Sequence, residues 1–303
     1  MRRLAALVLA AALALAGCSS ADPEVEVSGA VGRIDDIEVS VGDTRAPVLM
    51  WPREKEFTRA ETAVLWNGDG DQLQDGQPLL LDMFIQDLVT GEVLQNTFDG
   101  LPRPTLLAPE MLGDDLYQVL RTLRVGARVL AVVPSAGEFE EEPTFAVVID
   151  VLSHRAEGAT VNPRNDIPIV INGGTGEPDI ILREGKDLPP DLVVATLIRG
   201  EGEQVQPGSY IIAQYKAIFT ADGSDAEGAW IKGGVFDSTW APARAPWEVQ
   251  IGVGDTIRAL DEGLIDQTAG SQVMIIAPES FGYPGKGTLV FVVDILDVWT
   301  PEE

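Results

Sequence analysis

Short stretches in which apolar and polar residues alternate recur along this chain, a pattern typical of half-buried β-strands. Two other stretches instead carry leucine or isoleucine at helical spacing: Leu116, Leu120 and Leu123 in the first, and Ile257, Leu260 and Leu264 in the second. That spacing predicts a short amphipathic helix with one apolar stripe in each place. The chain is therefore expected to be an α+β protein in which antiparallel strands accompany two short helices.

The same succession of predicted elements occurs twice. Residues 61–77 and 193–209 each predict an alternating strand, a Gly-acidic-Gly turn and the start of a second strand. Further on, each helical stretch is followed by a glycine turn, an apolar strand that ends in proline, and a closing strand rich in β-branched residues. The closing strands are FAVVIDVL at 145–152 and LVFVVDIL at 289–296. A repeat of this length indicates two duplicated domains rather than a solenoid.

The duplication sets the expected domain boundaries. Two homologous domains are predicted over residues 46–155 and 178–303, each large enough to bury a core of its own. Residues 156–177 are rich in Gly, Pro and Asn and are interpreted as a linker. Residues 18–45 are interpreted as a polar, membrane-proximal spacer.

The N-terminus predicts export and lipidation. Arg2 and Arg3 precede about thirteen apolar residues, a run too short to span a bilayer and typical of a signal peptide. The run ends in Leu-Ala-Gly-Cys, which resembles a bacterial lipobox, so residues 1–17 are predicted to be a lipoprotein signal peptide and Cys18 the acylated residue. The alternative is an ordinary signal peptide with an incidental cysteine. An acylated Cys18 places the protein outside the cytoplasm, lipid-anchored to the bacterial cell membrane.

The composition excludes several classes of function. The chain has 48 Asp and Glu against 21 Lys and Arg, a net charge of −27, which argues against a nucleic-acid partner. Because Cys18 is the only cysteine and His154 the only histidine, the chain alone provides no disulfide, thiolate cluster or histidine-based triad. We therefore expect neither a metal nor a cofactor. His154 is interpreted as an exposed residue at a domain end.

The second copy carries five motifs in a fixed order: IIAQYKA, VFDST, IRALDEGL, APESFGY and TLVFVVDIL. Each is weak alone, but together and at these intervals they resemble the FKBP-type peptidyl-prolyl cis-trans isomerases, or rotamases, over about residues 191–298. The resemblance implies a bent antiparallel β-sheet wrapped around one short α-helix. The chain is thus expected to hold two tandem FKBP-like domains, of which the first is degenerate.

The resemblance also implies the residues of a proline-binding pocket. Four would act on the substrate: Tyr215, Asp237, Ile257 and Tyr283. Five would bind the proline: Phe236, Trp247, Thr256, Leu260 and Phe291. Tyr215 is expected to hydrogen-bond Asp237, and the Ile257 N–H to receive a substrate carbonyl. Arg244 is matched to a loop arginine of the family, and Asp255 is also expected to cap the helix.

Such a pocket needs no nucleophile, metal or cofactor. Rotation about a peptide bond must break amide resonance, a barrier of about 18–20 kcal/mol. A dry aromatic pocket suits the proline ring and favours a twisted bond whose carbonyl is less dipolar, while fixed donors hold that carbonyl. The implied substrates are proline-containing unfolded or exported polypeptides.

The second copy departs from the family pattern in four places. Leu260 stands where many members carry tryptophan, and the segment YPGKGT at 283–288 is shorter than the usual loop over the site. An insertion, TADGSDAEGAW, lengthens the hairpin between Tyr215 and Phe236, and the loop from Phe236 to Trp247 is about one residue longer than the family pattern. These differences leave open a catalytically weak or inactive FKBP-like binding or chaperone lipoprotein. A solute-binding lipoprotein would need larger α/β lobes.

The first copy departs further. Met83 takes the position of Tyr215, and no tyrosine follows Pro134 to match Tyr283. The pair Phe98-Asp99 is interpreted as the remnant of Phe236-Asp237. This copy is therefore expected to be a spacer or a protein-binding surface.

Overall fold

The computed structural model of the protein describes residues 30–41, 46–134, 143–162 and 164–301. The chain divides into two compact units between Leu152 and Ser153. The predicted signal peptide and Cys18 lie outside the described residues, as do part of the spacer and most of the loop after Pro134. Among the helices in the described ranges, none has the length and apolar character needed to cross a membrane.

The first unit is mostly β-structure with two short helices. Its elements are β1 (Ala30–Val31), a 3-10 turn (Ile34–Asp36), β2 (Glu38–Val41), β3 (Pro47–Met50), β4 (Lys55–Glu56), β5 (Glu61–Trp66), β6 (Pro78–Asp87), β7 (Val93–Asn96), β8 (Arg103–Leu106), α1 (Pro109–Leu112), α2 (Asp114–Leu120), β9 (Arg128–Pro134) and β10 (Thr144–Leu152). The main sheet has the order β5-β9-β10-β6-β7, and β8 pairs with the remaining length of β6.

The second unit has the same kinds of element. They are β11 (Ala159–Thr160), β12 (Ile169–Asn172), β13 (Pro178–Ile181), β14 (Val193–Arg199), β15 (Tyr210–Phe219), β16 (Gly223–Asp225), β17 (Gly228–Trp230), β18 (Val235–Ser238), β19 (Trp247–Gln250), α3 (Arg258–Gly263), β20 (Gln272–Ala277), a 3-10 turn (Glu279–Phe281) and β21 (Leu289–Trp299). Its main sheet has the order β11-β14-β20-β21-β15-β18, with β19 paired to β15.

Five strands of each sheet have the same order and the same register. β5, β9, β10, β6 and β7 correspond to β14, β20, β21, β15 and β18, and β8 corresponds to β19. Met83 pairs with Ile149 in the first unit, as Tyr215 pairs with Val293 in the second. The internal repeat that the sequence predicts is therefore present in the strand pairing, and the predominance of strands over helices agrees with the expected α+β class.

The helical segments are shorter and more divided than expected. In the second unit α3 ends at Gly263, where an added Cβ would lie 3.0 Å from Ile275 Cδ1 and 3.1 Å from Val194 Cγ2, so the glycine allows the helix to approach the sheet. In the first unit one helix was expected, but α1 and α2 are separated at Gly113, whose φ of 73° lies outside the helical region.

In each unit one face of the main sheet packs against the helical segment. The opposite face packs against a short hairpin that precedes the sheet in the chain. In the first unit β2 pairs with β3, and Ile37 and Leu49 are buried in a cluster with residues of the sheet. In the second unit β12 pairs with β13, and Ile167 and Ile180 are buried in the corresponding cluster. The repeat found in the sequence begins at residues 61 and 193, and so did not include these two hairpins.

The first strand of each hairpin comes from a segment that the sequence analysis placed outside the two domains. The described end of the spacer contributes β1 and β2, and the segment 156–177 contributes β11, β12 and the buried Ile167. The observed boundary between the units precedes this segment. The expectation for His154 was wrong, because its side chain is buried, with its ring 6.2 Å from that of Trp240.

Candidate functional site

Tyr215 lies at the centre of an aromatic group on the helix-facing side of the second sheet. Its neighbours on that face of β15 are the small residues Ala213 and Ala217, which belong to the same core. The ring of Tyr215 lies 5.4 Å from that of Trp247 at a steep angle, and 6.5 Å from that of Phe291. Three residues predicted for the site are therefore brought together by β15, β19 and β21.

A second aromatic group contains Phe236 and Tyr283. Their ring centroids are 4.9 Å apart, and the edge of Phe236 meets Phe219 at 5.4 Å. Phe219 in turn stacks on Trp230 at 4.7 Å. Offset and edge-to-face contacts of this kind fix ring orientation. Two more predicted residues thus lie side by side, and the Tyr283 side chain remains 38% exposed.

Asp237 connects the first aromatic group to the rim of the site. The Tyr215 hydroxyl donates to one oxygen of the Asp237 carboxylate, and the Arg244 guanidinium donates to the other. The backbone N–H of Ser238 also donates to that carboxylate, at 2.9 Å. Three donors thus hold the Asp237 side chain in one rotamer. Arg244, which the sequence analysis matched to a loop arginine of the family, is one of them.

These contacts shift the titration of the whole group. Burial acts to raise the pKa of Asp237, but the hydrogen bonds from Tyr215 and Arg244 outweigh it and lower that pKa below its usual value. Burial and the bond to Asp237 raise the pKa of Tyr215, and burial together with the Asp237 charge raises that of Tyr283. At neutral pH the site thus contains one fixed carboxylate and two neutral phenols.

Thr239 determines where Asp237 leaves the sheet. Its hydroxyl oxygen accepts the Tyr215 N–H at 2.8 Å, and its own N–H donates to the Tyr215 carbonyl at 3.0 Å. A register shift between β15 and β18 follows at Ala217 and Ile218. Phe236 is therefore an extra residue without a pairing partner on β15. β-Bulges of this kind are common beside active sites, where they redirect a side chain.

The start of α3 differs from the prediction. The residue before the helix is Ile257, and no side chain caps it, so the N-cap assignment of Asp255 was wrong. Instead the Asp261 carboxylate accepts the N–H groups of Gly252 at 2.7 Å and Gly254 at 3.1 Å, which holds the preceding loop. The Ile257 N–H donates to no residue that the structure describes.

The remaining predicted residues lie in the expected elements. Leu260 is buried on α3 within the core that contains Phe291, while Thr256 is half-buried in the loop that the Asp261 carboxylate holds. Leu260 therefore belongs to the same core against which the first aromatic group packs.

The sequence prediction missed Trp230 and Lys286. The insertion forms the hairpin of β16 and β17, which ends at Trp230. Lys286, in the short segment 283–288, binds the carboxylates of Asp225 and Glu227 and lies 4.9 Å from the Trp230 ring. The inserted hairpin is thus tied to the shortened segment. A tryptophan in an acidic insertion and a lysine in the facing loop were the available signals.

The first unit does not reproduce these residues. By strand register, Met83 takes the place of Tyr215, Val147 that of Phe291, and Arg103 that of Trp247. Gln95 pairs with Ile85 as Asp237 pairs with Ala217, so the carboxylate is replaced by an amide. Each replacement removes either an aromatic wall or a charged group.

The interpretation of Phe98-Asp99 was wrong. Thr97 accepts the Met83 N–H at 2.8 Å, and so corresponds to Thr239 of the second unit. Phe98 follows this threonine, whereas Phe236 precedes its counterpart. The Phe98 side chain is buried in the cluster on the opposite face of the sheet. The dipeptide is a coincidence of composition rather than a displaced remnant of the site.

Comparison with known proteins bears on the second unit. The family model described as FKBP-type peptidyl-prolyl cis-trans isomerase matches residues 201–296. FK506-binding protein 1B of Neurospora crassa is 32% identical over 92 residues, which cover 30% of this chain and 76% of that protein. This chain belongs to the FKBP-type peptidyl-prolyl isomerase family.

Other FKBP proteins are also similar to this chain. The FK506-binding protein of Streptomyces anulatus is 24% identical over 124 residues, covering 38% of this chain and 91% of that protein. A crystal structure of the three FKBP domains of wheat FKBP73 covers 80% of this chain and 95% of that chain, at 14% identity and a TM-score of 0.30. That score is too low to indicate a shared overall arrangement.

Proposed function

We propose that the second unit catalyses cis-trans isomerisation of prolyl peptide bonds in unfolded, exported polypeptides. The observation that carries this proposal is the fixed group of Tyr215, Asp237 and Arg244 beside the rings of Trp247 and Phe291. Membership of the FKBP family supports it, since the family description is a peptidyl-prolyl isomerase. The chemistry proposed is noncovalent and requires no cofactor.

The proposed mechanism separates the binding of the ring from the handling of the carbonyl. Phe236, Trp247 and Phe291 bind the proline ring over Leu260, and water is excluded from their apolar surfaces. The N–H of Ile257 has no partner among the described residues and donates to a substrate carbonyl. As the bond twists, amide resonance is lost and the carbonyl becomes less dipolar, so apolar surroundings favour the twisted state over the planar one.

Tyr283 supplies a second donor. Its hydroxyl is partly exposed beside Phe236, and the raised pKa keeps it protonated across the physiological range. The Asp237 carboxylate is held by Tyr215 and Arg244, so it presents a fixed negative charge at the rim rather than a mobile one. Such preorganised groups lower the barrier because they do not reorient during the reaction.

A second candidate function is binding without catalysis. Leu260 provides a smaller floor than tryptophan would, and the segment 283–288 is short and bound to the inserted hairpin through Lys286. Both features weaken the hold on a proline ring. They favour a chaperone that retains unfolded chains, and the polar group around Asp237 favours the enzyme.

A coupled protease assay on a prolyl tetrapeptide separates these functions. In the full chain we expect Tyr283→Phe to lower kcat/KM about 100-fold, at the lower end of the range seen when one preorganised donor is removed, and Asp237→Val to lower it about 100-fold as well. Gln95→Val, the matched change in the first unit, should leave the rate unaltered. Rates equal to buffer for the unaltered chain would leave only the binding function.

We further propose that the protein acts outside the cytoplasmic membrane, anchored through a lipid on Cys18. The anchor is favourable for this chemistry because uncatalysed prolyl isomerisation takes about tens to hundreds of seconds and limits folding after export. Cells that express the chain should incorporate labelled palmitate, and Cys18→Ala should abolish the label. An unlabelled wild-type protein would contradict the anchor without affecting the isomerase proposal.

A further inference from the structure

The first unit contains a cavity of about 440 Å³ between its helices and its main sheet. The volume lies within the range of about 300–1,000 Å³ typical of ligand pockets. Its lining is mainly apolar and includes Met83, Arg103, Met111, Gly113, Leu116 and Val147. Two methionines among the walls give a surface that can adapt to ligands of different shape.

This cavity coincides with the position of the candidate site in the second unit. Met83, Arg103 and Val147 are, by strand register, the counterparts of Tyr215, Trp247 and Phe291. Each counterpart in the second unit is an aromatic ring that fills space. The first unit therefore has the geometry of an FKBP pocket from which the rings have been removed, and the removal leaves a larger and more aliphatic space.

The groups needed for catalysis are occupied or absent. Gly113 immediately precedes α2, as Ile257 precedes α3, but its N–H donates to the Pro109 carbonyl at 2.8 Å within α1. In the first unit this amide therefore donates within α1, whereas the equivalent Ile257 N–H of the second unit has no partner among the described residues. Met83 provides no hydroxyl and Gln95 no charge. A ligand in this cavity would be bound but its carbonyl would not be polarised.

Charged groups of both signs border the cavity. Asp114 and Asp115 contribute exposed side chains, and Arg103 is half-buried with no ion-pair partner in the described part of the chain. A guanidinium donates readily to peptide carbonyls, and carboxylates attract lysine or arginine. An extended polypeptide presents both kinds of group beside an apolar side chain. A fatty acid presents a single carboxylate, which the two aspartates and the net charge of −27 disfavour.

We propose that this cavity binds a large apolar side chain of an unfolded polypeptide next to a basic residue, and does not isomerise the bound segment. The choice of a polypeptide rests partly on the proposed function of the second unit, whereas the absence of proline specificity follows from the missing rings. The first unit would then retain a client chain by contacts that the second unit does not use.

Fluorescence anisotropy of the full chain with a labelled, proline-free peptide, GSKFLKGS, tests the proposal. Val147→Phe restores the ring of the second unit and should weaken binding at least tenfold, because the ring occupies the cavity. Val48→Phe, the same change at an exposed position outside the lining, should leave binding unchanged. Replacing both lysines of the peptide with glutamate should weaken binding at least fivefold.

Several results would overturn the proposal: no binding of the peptide, equal binding by Val147→Phe, or equal binding of the glutamate peptide. Displacement of the peptide by cis-parinaric acid at equal concentration would also overturn it, in favour of an acyl-chain site. Met83→Tyr serves as a second filling variant, and circular dichroism melts of both variants verify that the first unit is folded.

The test is separable from that of the isomerase. Asp237→Val should lower isomerisation about 100-fold and leave the binding of GSKFLKGS unaltered, since the peptide contains no proline. If the unaltered chain has no isomerase activity but loses peptide binding on Val147→Phe, the proposed function fails and the binding site stands. Loss of peptide binding on Asp237→Val would place the peptide in the second unit and overturn the present proposal.

Discussion

In the second unit β15 carries Tyr215, and the equivalent strand β6 of the first unit carries Met83. The two strands have the same pairing and a threonine hydroxyl accepts the backbone N–H of each residue, at 2.8 Å in both units. The backbone therefore holds Met83 and Tyr215 in equivalent positions, although their side chains differ in chemistry. One unit retains a hydroxyl next to a carboxylate, and the other has an aliphatic space in the same place.

A cross-strand pair in each sheet shows the same contrast. Arg128 and Asp150 form an ion pair in the first unit, where the second has Gln272 beside Asp294 at 2.8 Å. Arg128 also lies 4.5 Å from the Trp66 ring. The half-buried Asp150 is paired with a charged donor, whereas the buried Asp294 receives hydrogen bonds from neutral groups. The comparison teaches that register is retained while polar partners are exchanged.

The largest expected effect comes from altering the volume at one position of both units. Phe291 is 2% exposed, so Phe291→Ala should lower the free energy of unfolding of the second unit by about 3–5 kcal/mol. Val147→Phe inserts a ring at the equivalent position, where a cavity already exists, and should change the stability of the first unit by about 1 kcal/mol or less. Hydrogen exchange in increasing urea measures the free energy of unfolding of each unit separately, and so measures the effect of each variant.

That comparison fails if Val147→Phe is as damaging as Phe291→Ala. Such a result would mean that the first unit closes around Val147 and has no usable space. Val48→Phe provides the matched surface control.

The next effect concerns pH and the second unit alone. Burial raises the pKa of Asp294 to about 6, although hydrogen bonds from the Ala156 N–H and Gln272 oppose the rise. Its unfolded value is about 3.9, so the folded state binds the proton more tightly. The protonated Asp294 therefore stabilises the folded second unit by at most about 3 kcal/mol. This stabilisation is fully present below about pH 4 and is lost as the pH rises through about 6.

Exchange protection of β21 should therefore be higher at pH 5 than at pH 7 after correction for the intrinsic exchange rate. Asp294→Asn removes the titration and should flatten this dependence. A steeper loss of protection toward acid in the unaltered chain would contradict the buried, protonated carboxyl.

The smallest effect concerns the inserted hairpin. Lys286→Ala removes the ion pairs to Asp225 and Glu227, whose side chains are partly or largely exposed, so the loss of stability should be small. Because the segment 283–288 carries Tyr283, we expect KM to rise about twofold with kcat unaltered. Lys232→Ala, just beyond the end of the same hairpin, is the control. An unchanged KM in both variants would make the hairpin irrelevant to substrate binding.

Periodicity and motif order predict a large part of this molecule. Alternation predicts the strands, and the resemblance to the FKBP family implies the hydrogen bond between Tyr215 and Asp237 that the structure contains. The two unequal copies predict the shared strand order. The strands and the repeat depend on local pattern, which a sequence displays directly, whereas the Tyr215–Asp237 contact depends on the family resemblance.

Other features depend on contacts between distant residues, which local pattern does not reveal. The dipeptide Phe98-Asp99 suggested a remnant site, but the bond from Met83 to Thr97 sets the register and places Phe98 on the opposite face. Asp255 suggested a cap, but the Asp261 carboxylate organises that loop from within the helix. Polar composition made 156–177 resemble a linker although Ile167 is buried.

The central claim is that catalysis belongs to the second unit and requires the polar groups that the first unit lacks. Its most direct test is exchange NMR of a prolyl peptide with the full chain and with the double variant Asp237→Val, Tyr283→Phe. We predict cis-trans exchange accelerated by the full chain and slowed to the uncatalysed rate by the double variant, with the first unit intact in both. Undiminished acceleration by the double variant would contradict the account.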